Sequence, residues 1–402
     1  MVRVRLFAAL REAAGASEVQ ASGRTVGDVV DALGERFGPR FSSVAGVSSF
    51  VVNGERAGRQ TPIAEGDEVA LLPPVSGGCA SSPRARSAEP WHTARRASMR
   101  FHRVLLVVNP VARTVSKPTL AVIEKALSAD FRLEVAETKE RGHANELAAQ
   151  AVDDGIDLVV VFSGDGTINE AVNALAGTET ALAVLPGGAT NILVRALNLP
   201  IDPVEATGVL IPKALDDETF RLNLGRADGR YFAVNCGAGV DAAAMKRLDE
   251  KFPDTKAKFD RAAFRAVAWE LLTGYAGRSP DLEVTIDGAE PIPSLSVMLG
   301  RTDPYTYYKD RGLRMTPEAS LDSGLDVLSV RKLARRSVPR IAWQVFGSAR
   351  HVRGRDIDYV HDAHHVLVTS TDPFPVQVDG DSMGDHRRLE VQLAPEALWV
   401  VA

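Results

Sequence analysis

Three patterns of apolar and polar positions divide the chain. In the first stretch the two alternate: MVRVRLFAAL reads as a half-exposed strand, TVGDVVDALGERFG has helical spacing behind a threonine cap, and SSFVVNGERAG reads as a hairpin strand entering an Asn-Gly turn. DEVALLPPVSGG then predicts a last strand with a flexible tail. From Arg103 the runs become short, continuous and β-branched, at Arg103 to Val108, Leu158 to Phe162 and Ala181 to Leu185. Such runs suit strands buried on both faces of a parallel sheet. After about Leu210 alternation returns in RLNLGRADGRYFAVNCG, DLEVTIDG, LSVMLG, GLDVLSV, HHVLVTS, FPVQVDGD and RLEVQLAP, which predicts an antiparallel β-sandwich.

The expected architecture is therefore a multidomain α+β protein. Residues 1–78 form a small β-rich domain, 79–102 a flexible linker, 103–210 an α/β nucleotide-binding domain and 211–402 a β-sandwich whose last strands are free to return to the nucleotide domain. The linker is rich in Ser, Pro and Arg and has no apolar period.

Each buried run in the middle of the chain ends in a loop with chemistry in it. Leu158–Phe162 is followed by SGDGTINE, in which Gly164 and Gly166 let the backbone turn and bring its N–H groups near a ligand. Thr167 is placed to cap the helix that follows, whose N-terminus favours phosphate. Asp165, a carboxylate among phosphate-cradling amides, makes sense if a cation bridges it to a nucleotide. The run at 103–108 ends in Asn109-Pro110 and the run at 181–185 in PGGATN. Loops at the C-terminal ends of strands are where open α/β sheets bind ligands. No GxxxxGK[ST] run exists, so a Walker lysine is excluded.

Charge and cysteine content narrow the picture. A net charge of −5 over 402 residues argues against nucleic-acid binding. Cys79 and Cys236 are too few for a disulfide framework, so a reducing cytoplasm is expected. No run approaches the roughly 20 apolar residues needed to span a bilayer, and the start of the chain has no secretory pattern. Membrane contact is then expected to be peripheral, at the inner surface.

With these loops in place, the last three hundred residues resemble the diacylglycerol kinase catalytic domain family, which includes bacterial lipid kinases and sphingosine kinases. The resemblance rests on Asn109-Pro110, Thr138 before RGHANELA, SGDGTINE, PGGATN followed by ILVRALNLP, NCGAGVDA, PEASLDSGLDV and VDGD. It implies ATP contacts from Asn109, Thr138, Ser163, Gly164, Asp165, Gly166, Thr167, Ile168, Asn169, Gly188 and Thr190, with Mg2+ on the nucleotide and Asp165 its best ligand. It implies a base on the VDGD turn, at Asp379 or Asp381, where the family has Asp-Gly-Glu. Two carboxylates so close can raise one another's pKa. The family's structural magnesium site maps onto SLDSGLD: Ser320 and Leu325 would offer carbonyls and Asp322 would be able to swing in, but Ser323 stands where the family has Asp. A weak or absent metal site is therefore expected.

Residues 1–78 resemble the small sulfur-carrier subunit of molybdopterin synthase and the thiamine sulfur carrier, both of the β-grasp (ubiquitin-like) fold. In those proteins a terminal Gly-Gly carboxylate is adenylated and converted to a thiocarboxylate. Here Gly77-Gly78 continues into Cys79. Both a retained or read-through domain and a carrier released by cleavage, with an adenylating enzyme as partner, stay open.

The remaining features read more plainly. His361, His364 and His365 lack zinc-like partners and suggest a solvated loop, and Cys236 suggests a packing residue. Arg331 to Arg355 mixes Lys332, Arg335, Arg336, Arg340, Arg350, Arg353 and Arg355 with Leu333, Ile341, Trp343, Val345 and Phe346, as an interfacial segment for anionic lipid or as a helix with a solvated basic face. Phe259 to Tyr275 has helical apolar spacing suited to core packing or an acyl-chain wall. The expected function is an ATP-dependent lipid kinase acting on a lipid alcohol, diacylglycerol by default. The alternatives are a sulfur carrier with the kinase half a passenger, and an inactive binding module. A homodimer is left open.

Overall fold

The computed structural model describes residues 2–72 apart from 7, 17, 47, 54 and 65, then 101–251, 269–308 and 311–402. The Gly77-Gly78 tail, Cys79, the linker up to residue 100 and positions 259–268 lie outside the described residues.

The N-terminal unit is a mixed five-stranded sheet in the order β2-β1-β5-β3-β4, built from β1 (Val2–Leu6), β2 (Glu18–Ala21), β3 (Ser49–Val52), β4 (Glu55–Ala57) and β5 (Glu68–Leu72). β1 runs parallel to β5 and antiparallel to β2, the crossover of a β-grasp fold. The alternation of Val2, Val4 and Leu6 puts their side chains inward, in a core with Val29, Leu33, Phe41, Val69 and Leu71. Helix α2 (Val26–Phe37) starts as the pattern predicts, with Thr25 accepting from the Asp28 amide and Asp28 accepting in return from the Thr25 amide at 3.0 Å. One expectation changes: the opening strand stops at Leu6, and Ala8–Ala14 forms a helix, α1, because the alternation lapses at Phe7-Ala8-Ala9. Helix α3 (Pro39–Gly46) completes this unit.

In the rest of the chain four parallel strands lie in the order β7-β6-β8-β9. They are β6 (Arg103–Val108), β7 (Arg132–Glu137), β8 (Leu158–Ser163) and β9 (Ala181–Pro186). Every residue of β8 and β9 is buried, as continuous apolar runs require. Helices α4 (Lys117–Ser128), α5 (His143–Asp153), α6 (Asp165–Leu175), α7 (Ile192–Ala196) and α8 (Pro203–Leu215) follow or separate these strands. The boundary expected at residue 210 falls inside α8. Asp202 caps that helix and Pro203 begins it, so helix continues to Leu215 and strands resume only at Phe220.

The later strands are β10 (Phe220–Ala227), β11 (Arg230–Phe232), β12 (Asn235–Ala238), β13 (Leu282–Ile286), β14 (Ile292–Ser294) and β15 (Ser296–Gly300), then β16 (Thr306–Tyr308) and β17 (Arg311–Leu313). β18 (Leu325–Val330), β19 (Ile357–Ala363), β20 (His365–Val378) and β21 (Asp381–Val400) complete them, with α9 (Val240–Lys251) and α10 (Val338–Val345) between. Antiparallel pairing runs β19-β18-β15-β12-β20-β21, with β10 also on β21 and β13 on β20. Side chains such as Phe232, Val284, Val297, Leu299, Val327 and Val376 fill the core between the layers. The last strand does return: Val400 lies beside Leu182 of β9 in a parallel pairing, and the Val401 amide donates to the Leu182 carbonyl at 2.9 Å.

Candidate active site

Parallel order places four loops side by side at the C-terminal ends of β6, β7, β8 and β9. Asn109, Thr138, Gly164 and Gly187 are the first residues beyond those strands. Thr138 donates its amide to the Val108 carbonyl at 2.8 Å, and Gly187 donates its amide to the Ser163 carbonyl at 2.8 Å. The glycine loops touch backbone to backbone. A Cβ on Gly188 would sit 2.6 Å from the Gly164 Cα, and one on Gly187 would sit 2.6 Å from the Ser163 Cα. Only glycine allows that approach.

The two helices that leave these loops differ at their N-termini. Helix α6 begins at Asp165 behind Gly164, with no side chain capping it. Thr167 is thus not the cap expected from the sequence: it lies inside the first turn, and its hydroxyl accepts from Asn109 Nδ2 at 3.2 Å. The first N–H groups of such a helix have no acceptor within it and carry the positive end of its dipole. Helix α7, in contrast, is closed by Asp165. Oδ1 accepts from the Ile192 amide at 2.7 Å and the Leu193 amide at 3.3 Å, while Oδ2 accepts from Thr190 Oγ1 at 2.8 Å. Both oxygens are engaged inside the protein, so Asp165 fastens the second loop to the first instead of standing free as a metal ligand. Burial raises its pKa, and the hydrogen bonds from Thr190 and the α7 amides oppose that rise.

Asn191, in left-handed conformation, completes the second loop by accepting from the Gly188 amide at 2.8 Å and donating to the Gly188 carbonyl at 3.1 Å. Gly166 lies in the open first turn of α6, whereas the side chains of Ser163 and Ile168 are turned into the interior. Asn169 also points away from the loops: its amide donates to the Tyr231 carbonyl at 3.0 Å and to Asp379 at 2.7 Å. The Ile168 amide donates to the Gly164 carbonyl at 3.1 Å, and the Asn169 carbonyl accepts from Asn173 Nδ2 at 2.9 Å.

Asp379 occupies the turn between β20 and β21, in left-handed conformation ahead of Gly380. Its carboxylate is lodged among four donors: the amides of Ala233, Val234 and Asn235 at 3.1, 3.0 and 2.8 Å, and Asn169. Burial pushes its pKa up to about 6 in spite of those donors. The neighbouring carboxylate is not the cause, contrary to the sequence-based expectation, because Asp381 is balanced by two guanidinium groups. Arg141 meets Oδ1 at 2.7 Å and Arg230 meets Oδ2 at 2.8 Å. Arg230 also donates to Asn169 Oδ1 at 2.8 Å, joining the acid turn to α6. Arg141, Arg230 and Asn235 escaped the sequence reading. A polar residue opening the apolar strand β12, and an arginine opening the short strand β11, were the available signals.

The SLDSGLD loop does not fit a metal. The Ser320 carbonyl accepts from the Ser323 amide at 3.2 Å and from Ser323 Oγ at 3.0 Å, so the hydroxyl that replaces the family's carboxylate closes the loop on itself. The Asp322 backbone carbonyl accepts from Asn223 Nδ2 at 3.3 Å, and no group of three or more acidic, histidine or cysteine side chains suited to a metal occurs among the described residues. Leu325 begins β18, paired with Ala363. Arg301, wholly buried, sends its guanidinium among the loop's other carbonyls.

The remaining candidates also take definite places. His361 and His365 lie in strands and bond Asp326 at 2.7 Å and Glu390 at 3.0 Å, in place of the expected solvated loop. Cys236 is buried in β12, and burial raises its thiol pKa well above the usual value.

Sequence comparison is consistent with this geometry. Residues 103–218 match the diacylglycerol kinase catalytic domain, and residues 234–402 match the YegS C-terminal NAD kinase beta sandwich-like domain. Residues 103–218 carry a diacylglycerol kinase catalytic domain. Residues 4–78 match the ThiS family. Relatives named diacylglycerol kinase include one from Staphylococcus carnosus, 25% identical over 291 residues, covering 70% of this chain and 89% of the relative. Another, from Bacillus subtilis, is 25% identical over 295 residues, covering 70% and 90%. A crystal structure of a diacylglycerol kinase from Bacillus anthracis shares the fold, with a TM-score of 0.56 at 23% identity, over 76% of this chain and 98% of that one.

Proposed function

We propose that residues 103–402 transfer the γ-phosphoryl group of ATP to the hydroxyl of a lipid, with a diacylglycerol-like alcohol as the default acceptor. The observation that carries this reading is the contrast between the two helix ends: α6 presents an uncapped first turn at a loop made of touching glycines, while α7 is sealed by Asp165. An open helix N-terminus without a Walker lysine takes phosphate through backbone N–H groups. Magnesium carried by the nucleotide supplies charge neutralisation on the phosphates.

In this reading Asp379 accepts the proton of the lipid hydroxyl. A carboxyl with a pKa of about 6 is ionised at neutral pH and still basic enough to take a proton. Asp381 holds Arg141 and Arg230 beside that acid, where guanidinium groups stabilise the charge of a transferring phosphoryl group. Thr138, Thr190 and Asn109 shape the nucleotide loops. The test is phosphotransfer from ATP to a panel of purified lipids. Incorporation into diacylglycerol supports the default acceptor; incorporation into another lipid alcohol alone replaces it, and none into any lipid removes the kinase reading.

Access to the lipid is assigned to the 331–355 segment. Helix α10 turns Val345 inward while Trp343 is 81% exposed, and Arg335, Arg336 and Arg340 are exposed around it. An exposed tryptophan on a segment with exposed arginines fits the headgroup level of an anionic bilayer. No helix among the described residues is long and apolar enough to cross a membrane.

The ThiS-family match over residues 4–78 favours a second activity for the N-terminal unit, sulfur carriage through Gly77-Gly78 after cleavage. Mass spectrometry of the protein from its native cells tests it. A fragment ending at Gly78 as a thiocarboxylate supports the carrier, and a wholly uncut chain opposes it.

A further inference from the structure

We infer that the guanidinium of Arg301 is the resident cation of the 320–325 loop, so that this loop, in which the family resemblance implies a divalent ion, needs none. Arg301 follows β15 and has no exposed surface. One terminal nitrogen donates to the carbonyls of Ser323 and Gly324, and the other donates to those of Leu321 at 2.6 Å and Asn223 at 3.1 Å. Four backbone carbonyls from two separate segments thus converge on one positive group, the arrangement by which proteins hold a hard cation with oxygen ligands.

The charges match as well. A divalent ion beside an aspartate and a guanidinium beside a serine both leave one positive charge in the loop. A guanidinium is charged at neutral pH, and the carboxylates of Asp326, Asp322 and Asp362 lie near enough to act on it. Its five fixed donors suit a ring of carbonyls better than the compact ammonium of lysine would.

What the exchange changes is dependence on the medium. A bound ion can be stripped by a chelator, whereas Arg301 is part of the chain. The experiment measures thermal unfolding of the full-length protein without nucleotide, in EDTA and across a magnesium titration, beside Arg301→Ala and the double variant Arg301→Ala/Ser323→Asp. The wild-type melting temperature is expected to be the same in both media. Arg301→Ala should melt lower in either medium, and the double variant should recover stability in a saturable way with Mg2+. A saturable wild-type rise of about 5 °C or more with magnesium would overturn the inference. So would a double variant indifferent to magnesium, or an Arg301→Ala that melts with the wild type. If Arg301→Ala cannot be recovered folded, the wild-type titration and the double variant, purified in magnesium and then challenged with EDTA, decide the matter alone. Because the readout needs neither nucleotide nor lipid, failure here and failure of the kinase reading remain separable.

Discussion

Asp165 and Thr190 stand 25 positions apart and are joined by a 2.8 Å hydrogen bond, with the same carboxylate accepting the first two amides of α7. This fixes how the glycine loops meet. Asp165→Asn would turn an amide donor toward amide donors. It should lower turnover at least about a hundredfold, since small misplacements at a reacting centre cost that much, and should lower stability by about 1–3 kcal/mol. Lipid phosphorylation rates and thermal melts check both; an unchanged rate removes the nucleotide-loop assignment.

The contact of Gly188 with Gly164 leaves no room for a methyl group, and the opposing atoms are backbone that cannot swing away. Gly188→Ala should cost about 1–3 kcal/mol of local strain and weaken ATP binding about tenfold or more. Calorimetric titration with a non-hydrolysable nucleotide reads the loss, and circular dichroism should show the fold intact.

Protonation of Asp379 sets an acid limb. Its pKa is raised to about 6, so activity should fall as pH drops through 6 and level off above about 7. The stability sign is opposite. A raised carboxyl pKa favours the folded state at low pH, and this contribution is lost as pH rises from about 4 through 6. A kcat/KM profile with no limb between pH 5 and 7 would assign the proton to another group.

Trp343 and its basic surround give a membrane test. Trp343→Ser together with charge reversal of Arg335 and Arg336 should reduce flotation with anionic vesicles, at about 1 kcal/mol for each basic residue, and leave ATP affinity unchanged. Equal flotation by the variant would return this face to ordinary solvated surface.

The buried strands and glycine loops were legible because continuous β-branched runs and Gly-rich turns are local signals. β6 ends where its apolar run ends, and β8 and β9 run one residue past theirs. What could not be read is where side chains go once distant strands meet. Asp165 looks like a free carboxylate in SGDGTINE, yet its partners lie 25 to 28 residues on. Arg301 looks like a surface residue after an apolar strand, and only the convergence of Asn223 with the 321–324 loop makes it a buried charge. The helix at Ala8–Ala14 was hidden because FAAL suits a strand end or a helix start equally well.

The pairing of Val400 with Leu182 reaches further than one bridge. β21 leaves the Asp379 turn, runs the length of β20 and β10, and finishes alongside β9, whose other end is the Gly187-Gly188 loop. The acid turn and the strand that carries the second glycine loop therefore belong to one hydrogen-bonded sheet, while Asn169 ties the same acid to α6 at 2.7 Å. The distance between that turn and the cradle is thereby tied to the sheet's own pairing, and the ion pair of half-exposed Arg141 with Asp381 reaches across from the loop after β7.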